Sequence, residues 1–245
     1  MARPTYAKAT ADKPGGKRSR PRAYLLLSRV SNLPTVWTNV LAAYVLSRAA
    51  LDSMPVALLA MTIFYTAGMF LNDASDADID AGQRPERPIP AGDVSRMEVL
   101  VGGLLLLAGG ELILAALPYR SPALLWGLAL AAAIGAYDYK HKGQTFGPVV
   151  MGLCRALVYC VAASGAVGLV SLPVVMAAIV MWLYVIALTW LAKNVGLGYA
   201  VPWLLAGICL VDAAMLAAVG EPGLALIAAA GFPVTLALQR VVPGT

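Results

Sequence analysis

An acidic stripe followed by a basic, proline-rich segment is the part of this chain whose residue types and spacing could carry out chemistry. The segment reads NDASDADIDAGQRPERPIPAG from Asn72 onward. On an α-helix Asn72, Asp76 and Asp80 are spaced i, i+4 and i+8, so they lie on one stripe, with Asp73 close to it. The same spacing predicts that Asp78 points away.

Closely spaced carboxylates repel one another unless water solvates them or a cation neutralises them. Hard oxygen ligands of this kind suit Mg²⁺, which keeps some of its waters and shares the rest of its shell with substrate phosphates. A solvated acidic loop between two helices is the simpler interpretation of the spacing alone. Arg84 and Arg87, which follow the stripe, favour the metal site instead. The prolines around them stiffen the chain, and each guanidinium can bind two phosphate oxygens at once. The stretch therefore predicts a site for Mg²⁺ and a diphosphate.

The composition predicts that this site lies at a membrane. With 60% hydrophobic and 13% charged residues, the chain is too apolar for a soluble domain and is typical of a polytopic membrane protein. We predict an all-α transmembrane bundle of about eight spans in one domain, residues 23–245, after a disordered basic cytoplasmic tail, residues 1–22. The apolar runs lie at approximately 24–47, 54–74, 94–117, 121–139, 146–170, 173–192, 199–219 and 222–242.

The distribution of Lys and Arg predicts the orientation of the bundle. The tail and the predicted loops at 75–93, 140–145 and 193–198 are richer in Lys and Arg than the connections between them. By the positive-inside rule both termini and the acidic stripe face the cytoplasm. The formal net charge of +5 is then explained by anionic lipid headgroups, and we expect no nucleic-acid partner.

These motifs resemble those of the UbiA superfamily of intramembrane prenyltransferases. The resemblance is carried by N-x-x-x-D-x-x-x-D at Asn72, Asp76 and Asp80, followed by R-P-x-R-P-I-P-x-G from Arg84 to Gly92. It extends upstream to RVSNLPTVWTNVLAAY, which contains Arg29, Asn32 and Asn39, and downstream to YDYKHK and GPVVMGLCR. The last string is similar to a small bacterial branch that includes the EboC-type proteins.

The resemblance implies a helical bundle around a central cavity, capped by cytosolic loops, in the inner membrane of a bacterium. In that cavity an isoprenyl diphosphate is ionised and its prenyl group passes to an acceptor. The implied Mg²⁺ ligands are Asn72, Asp76 and Asp80. Arg87 would contact the diphosphate, with Lys142 as a second cation. The Tyr137 ring would face the allylic cation, although anchoring at the membrane interface is the alternative.

The chain departs from the family where members carry a second aspartate cluster. Between Asp138 and Asp212 it has no Asp or Glu, and the corresponding place reads LTWLAKNVGLGY. Lys193 and Asn194 are the polar candidates there. A lysine that offsets phosphate charge would leave an enzyme with one cluster, whereas loss of the cluster is also expected of a non-catalytic descendant.

Arg155 lies well inside the predicted fifth span, where a charged side chain is costly without a partner. It would meet an acidic acceptor or the phosphate, or else form a structural ion pair with Glu111 or Asp212. The resulting catalytic set is Asp76, Asp80, Arg87, Tyr137, Lys142 and Lys193. The substrate-binding set is Asn32, Asn39, Asn72, Asp73, Arg84, Arg87, Lys142, Arg155 and Asn194.

Mg²⁺-dependent prenyl transfer from an isoprenyl diphosphate to a small-molecule acceptor is therefore the predicted function. A prenyl diphosphate cyclase and a non-catalytic or transport protein with a cation-binding stripe are the alternatives. A transporter should place its carboxylates near the bilayer midplane. The stripe instead runs into an arginine-containing loop, which favours the enzyme. The acceptor, the prenyl chain length and the oligomeric state stay open.

Overall fold

The computed structural model describes residues 18–140, 147–194 and 200–244 and, for residues 139–140 and 193–194, the backbone alone. All regular structure in these residues is helical. The helices are α1 Arg20–Ser28, α2 Leu33–Leu46, α3 Met54–Gln83, α4 Arg96–Leu114, α5 Arg120–Lys140, α6 Gly147–Val167, α7 Leu172–Asn194, α8 Val201–Ala218 and α9 Pro222–Gln239. Seven of them, α3 to α9, are long and apolar enough to cross a membrane. The predicted all-α membrane bundle is confirmed.

The first predicted span, 24–47, is divided into two helices. Arg29 has a left-handed φ of 44° and ends α1, and a 3₁₀ turn at Val30–Asn32 leads into α2. Pro34 lies in the first turn of α2, where its missing N–H costs nothing, but it could not continue a helix arriving from α1. With 14 residues, α2 is about 21 Å long at 1.5 Å per residue, shorter than a bilayer core.

The second predicted span, 54–74, is too short, and the loop predicted at 75–93 begins only at Arg84. Helix α3 has 30 residues, or about 45 Å at 1.5 Å per residue, so it exceeds a hydrocarbon core of about 30 Å. Pro85 ends it, because the residue before a proline is disfavoured in helical conformation, and Arg84 accordingly has φ −143° and ψ 61°. The extra turns continue α3 through the whole acidic stripe, which therefore lies on a helix and not in a loop.

Helix α2 lies in the interior of the bundle and packs against α3, α6, α8 and α9. The largest fully buried side chains of the whole bundle include Tyr44, Phe64, Tyr159 and Met181. Helices α3 and α4 approach closely at Gly110, because glycine has no side chain there. A Cβ at this position would lie only 2.8 Å from the Phe64 ring. Large exposed leucines lie on the outer faces of α4, α5 and α7, as expected of surfaces that contact lipid.

The short helix α1 lies over the ends of α3 and α4. Ala23 and Leu27 are fully buried against Phe70 and Val99. Arg18 pairs with Asp93 at 2.9 Å, and Arg20 and Tyr24 both contact Glu98. Residues 20–22 of the predicted tail are therefore the first turn of α1, while residues 1–17 lie outside the described residues.

Candidate active site

The acidic stripe lies on the last three turns of α3, as the spacing predicts. Asn72, Asp73 and Asp80 are buried, with 8%, 5% and 6% of their surface exposed, and Asp76 is half-buried beside them. The Asn72 side-chain amide donates to Asp76 Oδ2 at 3.3 Å. Asp78 points the other way, to an exposed ion pair with Arg96 at 3.0 Å. Four side chains with ligand oxygens thus share one face.

Two arginines reach this stripe and bind its carboxylates. Arg87 Nη1 lies 2.7 Å from Asp80 Oδ2 and 3.3 Å from Asp73 Oδ1. Arg29 Nη2 lies 2.5 Å from the same Asp73 oxygen. All four side chains are at most 15% exposed, so the ion pairs are only weakly screened by water. The arrangement is a compact buried charge network at the end of a membrane helix.

The loop after α3 folds Arg87 back onto the helix. The Arg87 amide donates to the Arg84 carbonyl at 3.0 Å, and the Ala91 amide donates to the Arg87 carbonyl at 2.9 Å. Gly92 closes the turn with a φ of 75°, a conformation that glycine adopts without strain. Arg84, predicted to bind substrate, is exposed, whereas Arg87 is largely buried against the stripe.

Arg29 is the residue of this site that the sequence reasoning did not assign to it. The predicted set contained its neighbours on the chain but not the arginine itself. Its left-handed backbone turns the side chain from the end of α1 towards α3, where it also contacts the Met69 sulfur at 3.4 Å. An arginine in the family-like stretch just before a proline-started helix was the available signal.

A second group of polar residues lies deeper in the bundle, and we call it the inner polar cluster. Its members are Thr35 and Asn39 of α2, Arg155 and Tyr159 of α6, and Asp212 of α8. The Arg155 guanidinium donates to Asn39 Oδ1 at 3.1 Å and to Thr35 Oγ1 at 2.9 Å. The Asn39 amide donates to Asp212 at 2.8 Å and to the Tyr159 oxygen at 3.2 Å, and Tyr159 also donates to Asp212.

The inner polar cluster bears on one expectation for Arg155, the structural ion pair. Among the described residues no carboxylate contacts Arg155 directly, and the nearest link to Asp212 runs through Asn39. The expected direct ion pair with Glu111 or Asp212 is therefore absent from the part of the chain that the structure describes. The Arg155 guanidinium instead lies over the Tyr65 ring, 5.8 Å from its centroid.

Tyr65 connects the two groups of polar residues. Its hydroxyl lies 3.4 Å from the Arg29 carbonyl oxygen, and its ring supports Arg155. Tyr137 of α5 is also near the stripe, since it interacts electrostatically with Asp76 and Arg29. Both tyrosines thus lie beside the charged network.

Other predicted site residues form contacts elsewhere in the bundle or are not among the residues that the structure describes in full. Asn32 donates to the Gly244 carbonyl at 3.0 Å and accepts from Gln239 at 2.8 Å, so its amide ties down the C-terminal segment. Lys142 lies outside the described residues. Lys193 and Asn194 are the last residues of α7, described by their backbone alone.

The donor set fits Mg²⁺ only with help from a ligand. In the described part of the chain no group of three or more His, Cys, Asp or Glu side chains converges on one point. Asp73 and Asp80 are instead held by arginines. Mg²⁺ commonly takes one or two protein carboxylates and completes its octahedron with water and phosphate oxygens. Asn72, Asp76 and Asp80 fit that requirement.

Fold and site together define an intramembrane helical bundle with an acidic and arginine-containing site at one membrane surface. Residues 31–196, more than half of the chain, match the UbiA prenyltransferase family, and the chain belongs to that family.

Curated relatives and solved structures agree with this assignment. Digeranylgeranylglyceryl phosphate synthase of Methanoregula boonei is 33% identical over 114 residues, which cover 46% of this chain and 39% of the relative. Its namesake from Ignicoccus hospitalis is 34% identical over 116 residues, 47% of this chain and 34% of the relative. The chain thus spans little more than a third of the length of these relatives.

Solved structures share the fold at low sequence identity. A UbiA homologue from Archaeoglobus fulgidus bound to DMAPP and Mg²⁺ superposes with a TM-score of 0.58 at 16% identity, covering 89% of this chain and 86% of that one. A structure concerned with digeranylgeranylglyceryl phosphate synthase in membranes also gives 0.58, at 15% identity, covering 91% and 96%. The whole helical arrangement, and not only the matched stretch, is therefore that of the family.

Proposed function

We propose that this protein transfers a prenyl group from an isoprenyl diphosphate to an acceptor within the membrane, and that the transfer depends on Mg²⁺. The observation that supports this most directly is the buried network of Arg29, Arg87, Asp73 and Asp80 at the end of α3. A diphosphate leaving group needs both cations and metal-binding oxygens at one place, while the prenyl chain needs an apolar interior beside it. The relatives named above and the A. fulgidus homologue with DMAPP and Mg²⁺ support the same chemistry.

In this proposal the ligands of Mg²⁺ are Asn72, Asp76 and Asp80. Bound Mg²⁺ would neutralise charge on the diphosphate oxygens. The half-buried Asp76 and its partner Asn72 are oriented for this by their mutual hydrogen bond at 3.3 Å. Asp80 becomes available when Arg87 turns from it.

The two arginines have different roles in the proposal. Arg87 is carried by a loop, so it can exchange its carboxylate partners for diphosphate oxygens with a small movement of its side chain. Arg29 is fixed between α1 and α2 and keeps Asp73 neutralised while that exchange takes place. When the C–O bond of the donor breaks, the diphosphate leaves with the electron pair, and a guanidinium at hydrogen-bond distance stabilises that charge.

The acceptor nucleophile then forms the new bond to the prenyl carbon, and its proton passes to the released diphosphate or to water. In the proposal, Tyr137 and Tyr65, which lie beside the charged network, offer their aromatic faces to the developing allylic cation. Lys142 and Lys193 complete the proposed positive charge, with Lys193 in the place of the second aspartate cluster. The names of the relatives make a glyceryl phosphate lipid the first acceptor to test.

The protein is an integral membrane protein. We further propose that it lies in a bacterial inner membrane with the acidic stripe and both termini on the cytoplasmic side. This orientation requires that the short interior helix α2 counts as an eighth crossing beside the seven long helices α3 to α9. The asymmetry of Lys and Arg supports this orientation, since Arg18, Arg20, Arg84 and Arg96 all surround the end of the bundle that carries the stripe.

The proposal is tested with purified protein in lipid nanodiscs and labelled geranylgeranyl diphosphate. The expected result is release of diphosphate and formation of a prenylated lipid when a monoalkyl glyceryl phosphate is supplied with Mg²⁺, and neither product when EDTA replaces Mg²⁺. The proposed site would be contradicted if the protein did not bind geranylgeranyl diphosphate, or if Mg²⁺ had no effect on that binding.

A further inference from the structure

The inner polar cluster contains a charged group that the donor site does not use. Arg155 is partly buried, whereas Thr35, Asn39, Tyr159 and Asp212 behind it are buried, four of the most enclosed polar side chains of the bundle. Arg155 keeps part of its surface accessible, although its guanidinium also packs over the Tyr65 ring, 5.8 Å from the centroid.

The hydrogen bonds of Arg155 leave room for a ligand. A guanidinium has five N–H donors, and the described residues accept two bonds from Arg155, at Asn39 Oδ1 and Thr35 Oγ1. Both acceptors are neutral, so neither cancels the positive charge. A charged group at low dielectric without a directly bound counter-ion is costly, and an oxyanion that binds there recovers that cost.

Asp212 explains how the charge of Arg155 is tolerated in the interior of the bundle. Its carboxylate is fully buried and already accepts from Tyr159 and from Asn39, so an entering ligand cannot reach it. The Asn39 amide lies between Asp212 and Arg155. The negative charge of Asp212 therefore lowers the cost of burying the Arg155 guanidinium without occupying the remaining donors of that guanidinium. By accepting from the Asn39 amide it also fixes the direction of Asn39 Oδ1 towards the guanidinium.

The cluster is close to the donor site but separate from it. Tyr65 lies between them, with its hydroxyl at the Arg29 carbonyl and its ring under Arg155. On α3, Tyr65 precedes Asp73 by two turns, or about 12 Å at 1.5 Å per residue. An anion held by Arg155 therefore lies below the diphosphate, on the apolar side, where a second substrate would have to lie to reach the prenyl carbon.

We propose that the inner polar cluster is the acceptor site, that Arg155 binds a carboxylate or phosphate group of the acceptor, and that Asn39 and Asp212 are positioning residues for Arg155. This inference rests on the proposed prenyl transfer and adds the chemical class of the second substrate. An acidic acceptor would be recognised by charge at its head and would place its nucleophile towards Tyr65 and the donor.

The test measures equilibrium binding in nanodiscs of phosphatidylcholine, which adds no net negative charge. The probes are a hexadecyl glyceryl phosphate, hexadecylglycerol without the phosphate, a hexadecyl carboxylate and inorganic phosphate. The variants are Arg155→Gln, Arg155→Lys and Asp212→Asn. Ser164→Ala is the control, since Ser164 is buried on the same helix and its hydroxyl donates to the Val161 carbonyl of that helix. Binding of geranylgeranyl diphosphate with Mg²⁺ is measured on every sample.

The wild type and Ser164→Ala should bind the two acidic lipids more tightly than hexadecylglycerol, by on the order of 10- to 150-fold, the range of a charged hydrogen bond. Arg155→Gln should lose that preference and keep its affinity for the Mg²⁺-bound donor. Arg155→Lys should keep part of it, because the charge remains but the planar fork is lost. Asp212→Asn should retain it, because the amide preserves a bond to Asn39 and removes only negative charge.

Three results would overturn the inference. The first is an equal preference for acidic lipids in Arg155→Gln and wild type. The second is a loss of donor binding in Arg155→Gln with unchanged lipid binding, which would move Arg155 to the diphosphate site. The third is inorganic phosphate competing as well as the alkyl phosphate, which would indicate a site for a free anion. Failure of the wild type to bind the donor with Mg²⁺ would instead contradict the proposed function.

Discussion

Arg87 and Asp80, seven residues apart in sequence, form an ion pair of 2.7 Å between groups that the proposed reaction needs for different partners. Asp80 is a proposed metal ligand and Arg87 a proposed diphosphate contact. With side-chain exposures of 15% and 8%, the pair is largely shielded from water. The ion pair thus neutralises both groups, and in the proposed reaction binding of donor and Mg²⁺ exchanges this internal pair for two external ones.

Arg87→Gln should therefore affect the two ligands in opposite directions. Without the guanidinium, Asp73 and Asp80 lose a counter-charge, so Mg²⁺ or Mn²⁺ added alone should bind more tightly than to the wild type. The diphosphate loses a charged hydrogen bond, which is worth about 1.5–3 kcal/mol, or on the order of 10- to 150-fold in Kd. Titration calorimetry with Mn²⁺ and with pyrophosphate measures both effects.

The matched control for Arg87→Gln is Arg96→Gln, which removes a guanidinium that pairs with the exposed Asp78. It should leave both affinities within about twofold, since an exposed pair contributes at most about 1 kcal/mol. Parallel loss of metal and diphosphate affinity in Arg87→Gln would contradict the exchange, because it would mean that the arginine supports the metal site rather than competing with it.

The helical stripe gives a second prediction. Asp76→Ala and Asp80→Ala should each abolish turnover without unfolding the protein, whereas Asp78→Ala should be mild, because Asp78 points to the opposite face. Even residues that only support a metal ligand commonly cost 10- to 100-fold, so loss of a ligand should cost at least about 100-fold. Product formation from labelled donor measures turnover, and a melting temperature checks the fold. An essential Asp78 beside a dispensable Asp76 would refute the stripe.

Features that depend on residues close together in the sequence could be predicted from the sequence, whereas contacts between distant residues could not. The period of α3 fixes which acids share a face, so the stripe and the outward Asp78 were predictable from spacing alone. The amount of apolar sequence likewise predicts a membrane bundle. The end of α3 was misjudged because hydropathy falls at Asp73, whereas the backbone stays helical until Pro85 forbids it.

The partners of buried charges were not predictable in the same way. Arg29 meets Asp73 across 44 residues, and Asn39 meets Asp212 across 173. Such contacts depend on how each helix is rotated about its axis, which a single sequence does not fix. Asp212 could be recognised as an acid in an apolar run, but its burial among Tyr159 and Asn39 follows only from the packing of α2, α6 and α8.

Topology gives a third prediction, from the asymmetry of Lys and Arg. Single cysteines introduced as Gln83→Cys, Gly143→Cys and Gly196→Cys, in a background without the three native cysteines, should all react with a membrane-impermeant maleimide only from the cytoplasmic side. Gln83 is exposed at the end of α3, next to the stripe. Labelling of any of the three from the outer side in intact cells would break the proposed arrangement of spans.

Lys193→Ala tests how the protein works without a second aspartate cluster. The chain has no Asp or Glu between Asp138 and Asp212, and Lys193 lies at the end of α7 where that cluster is expected. If its ammonium replaces the charge of a second metal, the alanine variant should bind the donor diphosphate more weakly, by about 1.5–3 kcal/mol, the range of a charged hydrogen bond. Added Mg²⁺ should not restore the loss, because no carboxylate is supplied to hold it.

Arg240→Ala, at the end of α9, is the control for removal of a cation from the same chain. Donor affinity and turnover equal to the wild type in Lys193→Ala would refute this role and leave Asn194 or Lys142 to supply the missing interaction.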